Sequence, residues 1–304
     1  SESRRSRRRA KSRGSEGRRS RRRSQSRRSE SRRSRRSGSG RRTGPGSGKH
    51  GRLRFFFSEL NGEYSAEVEP RLPSVADLES ALDATLVKLK RDVEDLELIP
   101  SFEDGSVGLY RDANALAAVA LALGKSTEDS PAKAAAPALL EAAKVAASAK
   151  NLEEAQAAMK AVEAARTSKG SIDALRWNQK VVALRPLMKN AVPALTTEMK
   201  RLGRNEKTFL RRGNAKKVID NSTVLVAIAL ACRENVDETL APEEDELWRE
   251  YCERLAAAAN DFNEKANATA AGKGDFAEAL AAMKTVEATC NTTCHEKFGG
   301  KAAE

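Results

Sequence analysis

Eleven residues in the middle of the chain recur 124 positions later with nine of them unchanged. Glu154-Ala155-Gln156-Ala157-Ala158-Met159-Lys160-Ala161-Val162-Glu163-Ala164 returns as Glu278-Ala279-Leu280-Ala281-Ala282-Met283-Lys284-Thr285-Val286-Glu287-Ala288. Upstream, Leu116-Ala-Ala-Val-Ala-Leu121 is matched by Leu225-Val-Ala-Ile-Ala-Leu230 at a shift of 109, so the second copy is about fifteen residues longer between the blocks. Ala-rich helices resemble one another by composition, but matches that include Met, Lys, Val and Glu in one register point to duplication. Each copy reads as four helices with short joins, the pattern of an antiparallel bundle. The expected fold is therefore all-α: two tandem four-helix bundles, over 67–171 and 172–304, behind a tail and linker over 1–66.

The helical reading rests on spacing and punctuation. After Pro73 the chain is rich in Ala, Leu, Glu and Lys and poor in strand-forming residues. Ser74 stands before a plausible helix start, and Leu78, Leu82, Leu86 and Leu89 follow at helical intervals. Further helices are expected near 110–124, 132–149 and 151–168, then near 173–202, 216–234, 245–271 and 275–298. Gly124, Pro131, Gly203, Pro242, Gly272 and Gly274 mark the joins.

Charge separates the tail from the rest. The whole chain carries 55 basic and 43 acidic residues, a formal +12. Residues 1–50 alone hold 21 Lys and Arg against 3 Glu, so they carry +18 and the remainder carries −6. The Arg-Ser repeats from Arg4 to Arg36 predict a disordered segment, since like charges repel and almost nothing apolar is present to bury. Such a tail suits a polyanion such as RNA, DNA or anionic lipid, or else is a solvated extension without a partner. The high pI is a property of the tail and does not make the helical part a nucleic-acid binder. No run of eighteen or more apolar residues occurs, so no membrane span is expected. Leu53 to Phe57 is too short for the apolar core of a signal peptide.

The two copies diverge after the shared Val-Glu-Ala. The second continues as Thr289-Cys290-Asn-Thr-Thr-Cys294-His295, where the first has neither Cys nor His. Cys-x-x-Cys-His is the attachment site of c-type haem: two thiols bond the vinyl groups and the next His binds the iron. Here the cysteines are separated by one residue more, which on a helix turns the backbone by about 100° and advances it about 1.5 Å. Three other readings compete. A zinc site needs a fourth ligand, and the only other histidine is His50 in the tail. A redox dithiol usually has two intervening residues in a βαβ setting. The residues can also fall together by accident.

With the motif in place, the second copy resembles the cytochrome c-prime family over roughly 173–299. The resemblance is carried by the C-terminal Cys-His motif followed by Glu296-Lys297-Phe298, by Gly274-Asp275-Phe276 and the Ala-Met-Lys-Thr-Val run, by Trp248 near a helix start, and by Leu187-Met188-Lys189-Asn190. The last resembles the low-spin members, which use a first-helix Met as the sixth iron ligand. Gly299 departs from the Arg that the family often has. The resemblance implies one covalent haem c attached at Cys290 and Cys294, with His295 and Met188 as axial ligands, and an extracytoplasmic, periplasmic location. Arg185, one turn before Met188, would pair with a haem propionate or else be a solvated cation. Met159 and Met283 sit at equivalent positions of the two copies and read as core filler. Cys232 and Cys252 fall at helix ends that adjoin in an antiparallel hairpin, so an exported chain would have either a disulfide there or two buried thiols. Copy one resembles the same fold with its haem motif lost, packed on copy two as a covalent pseudo-dimer.

The function so implied is electron transfer to a redox partner protein, without enzymatic activity. A Met ligand favours reduced iron and closes the coordination position that oxygen chemistry needs. No Ser-His-Asp set, phosphate loop or dinucleotide fingerprint is present. Two alternatives stand beside it: small-gas binding and sensing at the same haem, and a haem-free helical scaffold with a polyanion-binding tail.

Overall fold

In the computed structural model, residues 71–177, 187–235 and 244–290 are described, and among them no strand occurs. Nine helices are found there: α1 Val75–Leu96, α2 Phe102–Gly124, α3 Pro131–Ala146, α4 Leu152–Ala165, α5 Val192–Gly203, α6 Glu206–Phe209, α7 Asn214–Glu234, α8 Asp245–Ala270 and α9 Phe276–Ala288. A 3₁₀ turn covers Ile172–Ala174 and a π turn covers Leu187–Ala191. None of the described helices is long and apolar enough to cross a membrane.

Most starts are written in short polar side chains that satisfy the first free backbone N–H groups of a helix. Ser74 Oγ accepts from Asp77 N, Ser130 Oγ from Lys133 N and Asn205 Oδ1 from Thr208 N. Asn151 Oδ1 accepts from Glu154 N at 2.9 Å, and the Glu154 carboxylate reaches back to Lys150 N at 2.8 Å. The reciprocal pair holds the start of α4 from both sides. The equivalent start of α9 is capped by Asp275 Oδ1, which accepts from Ala277 N. The two helices also bury the same positions: Ala155, Ala158, Met159 and Val162 in α4, and Ala279, Ala282, Met283 and Val286 in α9.

Packing closes two rings. α1 lies on α2, α2 on α3, α3 on α4, and α4 returns to α1; α5 lies on α7, α7 on α8, α8 on α9, and α9 returns to α5. Both α1 and α2 also pack on α7, and the π turn packs on α2. The central helices are accordingly buried on every side, α2 from Asp112 to Gly124 and α7 from Val218 to Cys232. This is why the blocks around Leu116 and Leu225 lack a polar face. Polar contacts stitch α1 to α7 and α8: Lys88 Nζ donates to Asn221 Oδ1 at 2.9 Å, Ser80 Oγ to Asp220, and Asn267 Nδ2 to Asp77. Inside the second ring, Asn263 Nδ2 donates to Ser222 Oγ and Thr223 Oγ1, so a buried amide is satisfied across α7 and α8.

Three departures from the sequence reading have local causes. α2 starts at Phe102 rather than near 110, although Gly105 and Gly108 lower the helix propensity there. Both glycines lie under α1: a Cβ on Gly105 would come 2.7 Å from Leu96 Cδ2, and one on Gly108 3.1 Å from Asp92 Cγ. Helix was also expected to begin at 173, but after a single 3₁₀ turn Leu175 is extended. Its side chain is drawn into the space above Gly124, and Lys125 Nζ donates to its carbonyl. The short α6, capped by Asn205, was not anticipated.

Candidate functional site

The pairing of α5 with α9 sets the geometry. Gly203 faces Met283, whose Sδ would lie 3.2 Å from a Cβ there. One turn earlier on α5, Lys200 pairs with Glu287. A further turn earlier, Thr196 hydrogen-bonds with Cys290. The helices therefore run antiparallel, and the end of α9 that carries Cys290 meets the beginning of α5. Met188 lies on the π turn that leads into α5, eight residues before Thr196 and thus within about 12 Å along the axis.

Cys290 is 2% exposed. Burial pushes its thiol up to about 11; the hydrogen bond with Thr196 pulls the other way, and the Glu287 carboxylate pushes it up further. At neutral pH it is a protonated, neutral sulfur, neither a thiolate ligand nor a ready nucleophile. Met188 is buried too, beside the fully buried Leu187. A second π segment opens at Thr289–Cys290, so both sulfur-bearing candidates sit on π turns. Such turns are rare, hold one residue more than an α turn and recur at functional sites.

Of the residues expected at the site, the fold brings Met188 and Cys290 to one end of the α5–α9 pair. Cys294, His295 and Arg185 lie outside the described residues. Cys232, in the last turn of α7, and Cys252, in the first half of α8, are fully buried. The hairpin between their helices is fixed by Trp248 Nε1, which donates to the Cys232 carbonyl at 2.8 Å. Thr196 was missed by the sequence reading, since a lone Thr inside a helix carries no signal until its neighbour across the groove is known. Among the described residues, no group of three or more His, Cys, Asp or Glu is placed to hold a metal ion.

A second polar cluster lies between α1 and α2. Arg111 donates through Nε and Nη2 to both oxygens of Asp112, at 2.5 and 2.8 Å, and its Nη2 is 3.7 Å from Asp92 Oδ2. The Asp92 side chain is 11% exposed, and its Oδ2 has no hydrogen-bond partner. Burial, the Asp112 charge and the hydrogen bond with Asp112 push Asp92 up to about 7 against the pull of Arg111 and Arg91. Two carboxyl groups this close to a single guanidinium favour one proton between them.

No protein-family profile, no curated protein and no solved structure matches the chain.

Proposed function

We propose that α5, α7, α8 and α9 are a four-helix bundle carrying one covalent haem c, and that the protein passes electrons to a redox partner. The observation that carries this reading is that Met188 and Cys290, both buried and both on π turns, lie towards the same end of an antiparallel helix pair. Their chemistry fits the group. A thioether linkage consumes a neutral thiol such as that of Cys290, and an axial Met supplies a neutral, polarisable sulfur. Cys290 and Cys294 would hold the haem, His295 and Met188 would bind its iron, and Arg185 would pair with a propionate. When bound, haem supplies a one-electron iron couple, poised by Met towards the reduced state.

The chain's own residues do the positioning. Thr196 lies beside the Cys290 sulfur, and its hydroxyl donates to the Val192 carbonyl at 2.7 Å. Leu187, Val192 and Leu195 keep water from the Met188 end of α5. The π segment at Thr289–Cys290 opens immediately before the stretch in which the Cys motif holds its extra residue. The first ring acts as a haem-free partner within a covalent pseudo-dimer, its α1 and α2 lying on α7 and α2 bracing the π turn of Met188. The c-type linkage carries with it an extracytoplasmic location, and the Arg-Ser tail is available to polyanions.

The test is the mass of the native protein, denatured and reduced, together with its optical spectrum. One added haem mass and a low-spin spectrum are expected. A colourless protein of unmodified mass, made with haem-ligation machinery present, would refute the reading and leave the helical scaffold. A high-spin spectrum that binds carbon monoxide on reduction would replace electron transfer with gas binding.

A further inference from the structure

The junction of the two rings contains a cleft of about 210 Å³ between α1, α2, α5 and α7. Its floor is largely apolar, made by Thr85, Ala115, Ala191, Leu195 and Val224, and its rim is charged, made by Lys88, Arg91, Arg111, Asp112 and Glu198. The haem reading gives the charged rim of this space no role.

An inventory of donors and acceptors decides what the cleft can take. Both carboxylates are already engaged. Asp112 has both oxygens on Arg111. Glu198 receives Asn221 Nδ2 at 2.9 Å and has Lys88 at 3.7 Å and Arg201 at 3.6 Å. The donors are only partly engaged. Lys88 gives one of its three N–H bonds to Asn221. Arg111 uses Nε and Nη2 and leaves Nη1 unspent among the described residues. Arg91 has no hydrogen bond or ion pair among the described residues. Spare donors thus remain on three cations, against two carboxylates in the lining that are already engaged and Asp92 behind Arg111. Lys88 and Arg111 are each 28% exposed, so a charge-assisted bond from them forms partly out of water and gains strength. An apolar floor beneath such a rim matches a ligand with an anionic head and a short apolar body, because burying a fully hydrated inorganic ion against methyl groups costs desolvation. The volume is below the roughly 300–1,000 Å³ of drug-sized pockets, which limits the ligand to a few heavy atoms.

We propose that this cleft binds a small aliphatic carboxylate, its head on Arg91, Arg111 and Lys88 and its hydrocarbon over Ala115 and Leu195. Ala191, in the cleft floor, is also the last residue of the π turn that carries Met188, so an occupant bears directly on that turn.

The experiment is isothermal titration of the full chain with butyrate, and with inorganic phosphate for comparison. Butyrate is expected to bind saturably with a dissociation constant near or below about 1 mM, more tightly than phosphate. Arg91→Ala removes an exposed side chain and should weaken butyrate about tenfold, the loss of one charge-assisted bond, with an unchanged thermal midpoint. Ala194→Phe, on an exposed wall position, should fill the mouth and abolish binding. The proposal is overturned by the absence of saturable butyrate binding to about 10 mM, by phosphate binding as tightly as butyrate, or by either variant binding like the parent.

Discussion

Replacing Asp92 by Asn tests the buried carboxyl pair directly. The folded protein holds the Asp92 proton up to about pH 7, whereas the unfolded chain releases it near 3.8. Between these values the folded state binds more protons than the unfolded one, so this group makes stability fall as pH rises, and above about 7 the loss is complete. A change from 3.8 to about 7 corresponds to about 4 kcal/mol. Water reaches 11% of the side chain and screens part of this, so about 2–4 kcal/mol is expected. Asn keeps the shape and can donate to Asp112 as the carboxylic acid does, but it never acquires the charge. The variant should match the parent near pH 4 and exceed it by about 2–4 kcal/mol near pH 8, the difference opening between those limits. Urea unfolding of both proteins across this range, with equal m-values, reads the difference free of the slopes that other groups contribute equally. A variant less stable than the parent near pH 8, or a difference that does not change with pH, would show that Asp92 does not carry the buried charge.

Met188→Leu should leave the haem mass in place and convert a low-spin spectrum to a high-spin one that binds carbon monoxide; an unchanged spectrum would exclude Met188 as the ligand. Gly124→Ala should cost about 1–3 kcal/mol in chemical unfolding, because the new Cβ would come 2.2 Å from Leu175 Cδ1 and the displaced side chain lies against the all-buried face of α2. Residues 172–304 expressed alone should associate or lose stability, since α7 would expose the face that α1 and α2 cover; a soluble monomer with the spectrum of the full chain would argue against the pseudo-dimer.

The parts legible in the sequence were those set by neighbours along the chain. Ser74, Pro131 and Gly272 bound helices because a cap, a missing N–H and a positive φ act within one turn. The repeated block emerged as α4 and α9 with matching buried positions, because an outer helix needs one apolar stripe and its spacing is local. The failures came where distant segments decide. The glycines of α2 read as weak helix until α1 lies over them. Leu175 reads as helix until Gly124, fifty-one positions earlier in the sequence, leaves room for its side chain.

The candidate sites divide along the same line. Met188 and Cys290 were named from their motifs, but their placement towards the same end of a helix pair follows from the antiparallel register of α5 and α9, which Gly203, Lys200 and Thr196 report only together. The cleft had no sequence signature, since its rim is drawn from three helices and each cation taken singly is an ordinary surface residue. A helix buried on all sides announces in its sequence that it is covered, but not by what. For α2 and α7 the cover is partly each other. That mutual burial joins the two rings and forms the cleft between them. It also braces the turn of Met188 against a helix of the half that lacks the Cys-His motif, so on the proposed reading that half would support the Met ligand through packing.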